Sequence, residues 1–328
     1  NKHRIKIIFF WNIIFRKSCN EESIVNKDIE NKDIEIAGDT YGIAAYAFHG
    51  NKFESVKIPD SVQLVNTAAF YQCQEMLGAT IGNGVTELSS SMFSGCSKLT
   101  YVTFGANVQR IGSSAFSGCT LLQEIDIPDT VTSIGKNAFY NTALWNAAGA
   151  TLIYADNWLV GDAKEPSDKP YSVSIKEGTV GIADYVFSQK DVGGVTFSDG
   201  IKYIGEGAFS WSFLGYNGKV EIPASVAQIG GGAFFGCSKE LKLYGAEGVP
   251  AQQYARLNGL AFDSQSWKED EELVLREEED GTLTVMGARQ AAPHRIEIPT
   301  EICGRRVAAI APKAFFANGT LEQLVVGG

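Results

Sequence analysis

The sequence predicts a β-rich solenoid, a curved array of coils of about 23 residues with an inserted β-hairpin and a C-terminal capping helix. Three observations predict it. One phrase recurs: "LSSSMFSGC" ends at Cys96, "IGSSAFSGC" at Cys119 and "IGGGAFFGC" at Cys237. Its phenylalanine recurs at a near-constant step through Phe48, Phe70, Phe93, Phe116, Phe139, Phe187, Phe209 and Phe234, and only the step from Phe139 to Phe187 is doubled. Each unit opens with apolar-x-apolar followed by Pro or Gly, as in "LQEIDIPDTVTSIGKNAF" from Leu122 to Phe139.

Apolar-x-apolar is a short strand with alternate side chains pointing inward, and the Pro or Gly after it stops the strand and turns the chain. One such coil cannot bury its apolar face, so coils must stack and share both strand hydrogen bonds and a core. A fixed period of roughly 20–29 residues points to a leucine-rich-repeat array.

In chain order, residues 1–32 are expected to be an N-terminal tail. Lys2, Arg4 and Lys6 before the apolar stretch Ile7 to Phe15 match two parts of a secretory signal, while Arg16 and Lys17 stand where small cleavage-site residues belong. Residues 33–265 form the solenoid, with recognisable coils over 33–243. Its hairpin insertion spans 145–172, where Thr151 to Tyr154 and Trp158 to Val160 flank the turn Asp156-Asn157, and the hairpin is expected to leave the coil. The cap is 244–265, with a helix starting at Pro250 and stopping at Asn258-Gly259. The polar stretch 266–272 reads as a linker. Residues 273–328 read as a hairpin around Asp280-Gly281 and the start of a second leucine-rich-repeat array with Phe315 in the marker slot. That array is expected to continue past Gly328.

The chemistry-bearing residues are sparse. A net charge of −10 with no basic run after residue 32 argues against a nucleic-acid partner. No apolar run reaches the roughly 18 residues that a spanning helix needs, so no membrane span is expected. Cys73, Cys96, Cys119 and Cys237 stand three positions after a marker phenylalanine, where other coils carry Asn51, Thr142 or Ser212. The slot therefore asks for a small group bonding nearby backbone, not a thiolate, and no metal is expected. His3, His49 and His294 lie too far apart along the coils to complete a catalytic set, so neither enzyme activity nor a cofactor is expected.

The phrase "IP(D/A)xVxxIGxxAFxxC", ending on Phe rather than Leu, resembles the BspA-like leucine-rich repeats of bacterial secreted and cell-surface proteins. The resemblance implies a non-catalytic, adhesin-like module, secreted or at the cell surface, that binds a protein or glycan of a host or neighbouring cell. A structural spacer, or an accessory module of an enzyme whose catalytic domain lies beyond Gly328, are the alternatives. The candidate ligand-binding residues are the outward positions of the strand ladder on its concave face: Lys57, Thr80, Tyr101, Thr103, Glu124, Asp126, Ser174, Thr196 and Glu221. A candidate aromatic patch comprises Trp145, Tyr154, Trp158, Trp211 and Tyr216.

Overall fold

The computed structural model describes residues 5–7, 14–16, 33–146, 151–165, 169–214, 219–246, 248–264, 273–278, 280–288, 295–298, 300–302, 305–312 and 323–326. They belong to two compact units, Asn1–Phe262 and Asp263–Gly328.

The first unit is a solenoid in which the coils contribute to two parallel ladders, the coil of Phe139 to the second alone. The first ladder stacks Asp33–Ile36, Ser55–Lys57, Gly78–Thr80 and Tyr101–Thr103. Its register places Ile34, Val56, Ala79 and Val102 in one buried row. The strand stops at Pro59 because proline has no amide hydrogen to give the ladder. The second ladder uses very short strands, Glu87–Leu88, Arg110–Ile111 and Ser133–Ile134, with Leu88, Ile111 and Ile134 buried in register. Thr40–Ile43 and Leu64–Val65 make the corresponding pair before them.

Between second-ladder strand and next coil lies the marker turn, and its backbone explains the repeated phrase. The residues two before and two after each marker phenylalanine have positive φ in all eight coils. Ten of these sixteen positions are not glycine, Ala68, Gln72 and Ser114 among them, with φ between 55° and 60°. Such residues cost about 1 kcal/mol each. The gain is that alternate amides point along the stack: Ala68, Phe70 and Gln72 donate to the carbonyls of Ser90, Met92 and Ser94 at 2.9, 2.9 and 2.8 Å. The turn thus acts as a third ladder without strand geometry.

Inside it the phenylalanines form a column. Phe48, Phe70, Phe93, Phe116 and Phe139 stack at centroid distances of 5.1, 5.4, 5.7 and 5.3 Å, and Phe187, Phe209 and Phe234 at 5.0 and 5.5 Å. The two columns are separated by the insertion.

The insertion is a hairpin of Leu152–Ala155 and Trp158–Asp162, but it does not leave the coil as the turn signal implies. Its second strand joins the second ladder, pairing Trp158 with Gly181 and Leu159 with Ile182, ahead of Tyr203–Ile204 and Gln228–Ile229. An apolar strand with both edges free of proline is a ready ladder partner, and the next coil supplies the matching edge. The first ladder resumes as two separate pairs, Tyr171–Ser174 with Val192–Thr196 and Lys219–Glu221 with Lys242–Tyr244. It is therefore interrupted, not continuous. Residues 5–7 and 14–16, within the expected tail, are also strands: Ile5–Ile7 pairs in parallel with Asp33–Ile36, and Ile14–Arg16 antiparallel with Thr40–Ile43.

The capping helix spans Pro250–Asn258 and ends on Gly259 at φ 66°, where a left-handed residue suits glycine. It closes the solenoid by imitation. Phe187 and Phe209 donate their N–H groups to Ala208 and Ala233 of the following coil at 2.7 and 2.8 Å. Phe234 has no such coil, and its N–H donates instead to the Tyr254 hydroxyl oxygen at 3.2 Å, with the Tyr254 ring edge-on at 5.8 Å. Tyr254→Phe keeps the ring and orphans this buried amide. We expect a loss of about 1–3 kcal/mol in urea unfolding, whereas an unchanged midpoint means that the ring alone caps the array.

In the second unit, Leu273–Glu277 and Leu283–Ala288 form an antiparallel hairpin, Arg305–Ile310 pairs in parallel with the latter, and Arg295–Ile298 pairs in parallel with Gln323–Val326. The expected linker 266–272 and the marker Phe315 lie outside the described residues.

Candidate functional site

On the first ladder the outward residues fall into rows. Lys57, Thr80 and Thr103 are neighbours in register, and Ser174 lies beside Thr196 on the resumed ladder. Lys57, Thr103, Ser174, Thr196 and Glu221 are exposed and Thr80 is partly so. Tyr101 lies in register with Gly78, and a Cβ added there would come within 1.9 Å of the Tyr101 ring. The ring therefore lies flat across the neighbouring coil, in space that only glycine leaves, with 52% of the side chain exposed.

Glu124 and Asp126 are exposed but lie outside any strand. The reason is local. In regular coils the N–H at this strand's end donates to the next coil's carbonyl, as Ile58 does to Thr80, Ile81 to Thr103 and Ile175 to Thr196 at 2.8–2.9 Å. Ile127 instead donates to the Asp156 carboxylate of the hairpin turn at 3.1 Å. One carboxylate oxygen stands in for a strand.

The cysteine slot is a hydrogen-bonding position. The thiols of Cys73, Cys96, Cys119 and Cys237 donate to the carbonyls of Phe48, Phe70, Phe93 and Phe209, each the marker one coil earlier, at 2.9, 3.1, 3.2 and 3.1 Å. Thr142 uses its hydroxyl on Phe139 at 2.8 Å. The neighbouring Cys73 side chain and burial together raise the Cys96 thiol well above its ordinary value, and burial pushes Cys119 up to about 12. At pH 8 Cys119 thus carries on the order of a thousandfold less thiolate than a free cysteine near 8.5. Peptide-resolved alkylation should label Cys96 and Cys119 only after unfolding and the half-buried Cys237 earlier; fast native labelling of Cys119 contradicts the hydrogen-bonding role. Among the described residues no three His, Cys, Asp or Glu side chains converge in a metal-ligand arrangement.

The aromatic residues do not form one patch. Trp145 packs edge-on to Tyr140 at 5.2 Å and fills the space over Gly161. The Tyr154 hydroxyl accepts the Lys176 N–H at 3.0 Å. Trp211 is 59% exposed and meets Phe235 edge-on at 5.4 Å, and Phe213 is exposed too. Tyr216 lies outside the described residues. Trp158 is buried, lies over Gly181 and stacks on Tyr203 at 5.7 Å with the planes 4° apart.

That stack lines a cleft of about 280 Å³ at the seam where the hairpin enters the second ladder. Arg110 reaches it from the coils before the insertion, and Asp184, Tyr203, Glu206 and Gln228 from those after. Asp184 Oδ1 accepts the Glu206 N–H at 2.8 Å, and Glu206 Oε1 accepts the Tyr185 hydroxyl at 2.6 Å. Burial, reinforced by Glu206, holds the Asp184 carboxyl above the usual carboxylate range, against the opposing pull of that amide and of Arg110.

Comparison with known proteins bears on the whole pattern. The "BspA type Leucine rich repeat region" matches residues 30–150 and 169–247 in six copies, more than half of the chain. The chain belongs to the BspA-type leucine-rich-repeat family. The unmatched residues 151–168 contain the hairpin, so the interruption in the BspA-type pattern coincides with the seam. Solved structures similar to it include a leucine-rich repeat protein from Bacteroides ovatus (18% identity, 96% of this chain and 90% of that one, TM-score 0.39). A leucine-rich repeat protein of T. pallidum (21% identity, 55% and 75%, TM-score 0.38) and a leucine rich cell surface protein from Faecalibacterium prausnitzii (21% identity, 90% and 70%, TM-score 0.28) are similar as well. No curated protein matches the chain. Among the described residues no helix is long and apolar enough to cross a membrane.

The BspA-type repeat accounts for the cysteine slot, the marker column and the strand faces. It does not account for the cleft, whose residues the sequence pattern passes over. Arg110, Trp158, Tyr203 and Gln228 each open a second-ladder strand at the equivalent position; Arg110, Tyr203 and Gln228 stand six residues before a marker phenylalanine, whereas the equivalence of Trp158 is hidden in the sequence because the hairpin carries no marker.

Proposed function

We propose that this chain is a non-catalytic recognition module of a secreted or surface-held bacterial protein, taking a polypeptide of a host or neighbouring cell on its first-ladder face. The observation that carries this reading is Tyr101, a large aromatic held flat over Gly78 and half-exposed beside the polar row Lys57, Thr80 and Thr103. A pre-positioned aromatic with a polar surround is the usual composition of an interaction hot spot, because little side-chain entropy is lost when a partner covers it. Membership of a bacterial repeat family that is consistent with protein interaction supports the reading.

The test is binding of the full chain to a panel of immobilised extracellular-matrix and epithelial surface proteins. A partner is captured, and Tyr101→Ala weakens its capture at least about tenfold with an unchanged unfolding midpoint. Lys57→Glu weakens it too. Capture of nothing on the panel favours a spacer, and capture indifferent to both variants moves the site elsewhere.

A further inference from the structure

We propose that the seam cleft is a saccharide-binding site, taking a neutral mono- or disaccharide between Arg110 and Asp184 on the second ladder. Nothing in the proposed polypeptide docking depends on it, since the two sites use different strands of the coil.

The argument starts from where the cleft lies. Stacked coils leave no room between them, as the backbone contacts at Gly112, Gly135, Gly205 and Gly230 show. The hairpin breaks that regularity, and the coils before and after it meet across a cleft of about 280 Å³ lined from both sides and by the insertion itself. Ligand sites favour such junctions, and the volume lies near the lower end of ordinary small-ligand clefts, on the order of 300–1,000 Å³.

Charge selects the ligand class. Asp184 and Glu206 present carboxylate oxygens, which repel an anion; Arg110 presents a guanidinium, which repels a cation. A neutral ligand bearing both donors and acceptors uses all three, and Gln228 offers one of each besides. Vicinal hydroxyls of a sugar ring have this character: they donate to a carboxylate and accept from a guanidinium at once. The half-buried Tyr203 ring, backed by Trp158, offers a flat apolar surface for the C–H face of the same ring. The polar groups are already held, Asp184 by the Glu206 amide and Glu206 by the Tyr185 hydroxyl, so few rotamers freeze on binding.

The experiment applies the full chain to an array of neutral gluco-, galacto-, manno- and N-acetylhexosamine oligosaccharides, then titrates it calorimetrically with the best disaccharide from that array. At least one is expected to bind, and Asp184→Asn and Arg110→Gln each weaken it about tenfold or more. Folding and binding separate in the first variant. Asparagine can still accept the Glu206 amide and removes a charge that burial disfavours, so Asp184→Asn should unfold no earlier than the parent at pH 7 while binding worse. Arg110 is exposed, and its loss should leave the midpoint in place. Tyr101→Ala should leave sugar binding unchanged, which separates this site from the polypeptide face. The proposal is overturned by an array on which no neutral glycan binds, by full affinity in both variants, or by sugar binding that follows Tyr101 instead. Binding of peptides alone would also overturn it, assigning the cleft to a polypeptide.

Discussion

Phe116→Ala is expected to lower stability by about 3–5 kcal/mol, the range for removing a fully buried aromatic, and to do so more than the same change at Phe187. Both rings are fully buried, so area alone predicts equal losses. Their neighbours differ. Phe116 stacks between Phe93 at 5.7 Å and Phe139 at 5.3 Å and meets Phe104 edge-on at 6.3 Å. Phe187, at the seam, stacks on Phe209 alone among the described rings. Each ring pair adds about 0.5–1.5 kcal/mol beyond burial, so with two more pairs the Phe116 variant should lose about 1–3 kcal/mol more. Because coils touch only their neighbours, the damage is first local. Amide exchange should show lost protection in the coils of Phe93, Phe116 and Phe139 before the coils beyond the hairpin open. Equal losses at the two positions, or uniform loss of protection along the array, would mean that the column does not act as a chain of nearest-neighbour contacts.

How much of this is legible in the sequence follows from the physics of repetition. A coil that must match its neighbour writes its requirements at a fixed interval, so the marker phenylalanine, the inward rows and the interchangeable Cys, Thr and Ser slot can be read directly. The cap is legible because Pro250 and Gly259 carry their own backbone signals. What escapes are the places where one side chain replaces a whole strand: Asp156 accepting the Ile127 amide, and Tyr254 accepting that of Phe234. Both satisfy a backbone donor that the next coil would otherwise take, and an orphaned donor is visible only when the stack is assembled. For the same reason Glu124 and Asp126, which fit the strand pattern, form no strand: their partner coil is displaced by the hairpin. Trp158 reads as part of a departing hairpin because the Asp156-Asn157 turn specifies how two strands pair with each other and not which free edge they meet next.

Gly135→Val tests the spacing on which all of these substitutions depend. A Cβ on Gly135 would lie 2.5 Å from the Ser113 nitrogen and 2.8 Å from the Gly112 carbonyl carbon and the Ser113 Cα, all backbone atoms of the preceding coil. No rotamer change relieves such contacts, so the coils must part. Parting them strains the Gly135 N–H to Ile111 carbonyl bond, 2.7 Å, and the Phe116–Phe139 stack. Overpacking of this kind costs about 1–3 kcal/mol and the weakened hydrogen bond about 1 kcal/mol more, which places the expected loss at about 2–4 kcal/mol. The requirement belongs to particular coil pairs and not to the slot as such, since Asn66, Ser89 and Ala183 carry a Cβ at the equivalent position. Ala183 faces the inserted hairpin, donating to the Leu159 carbonyl at 2.8 Å, so Ala183→Gly should change stability little. Gly135→Ser should fall between the two, because the coil of Ser89 is built around a side chain of that size. If Gly135→Val unfolds at the parent's urea midpoint, the coils are free to separate by the width of a methyl group, and the close inter-coil contact does not set their spacing.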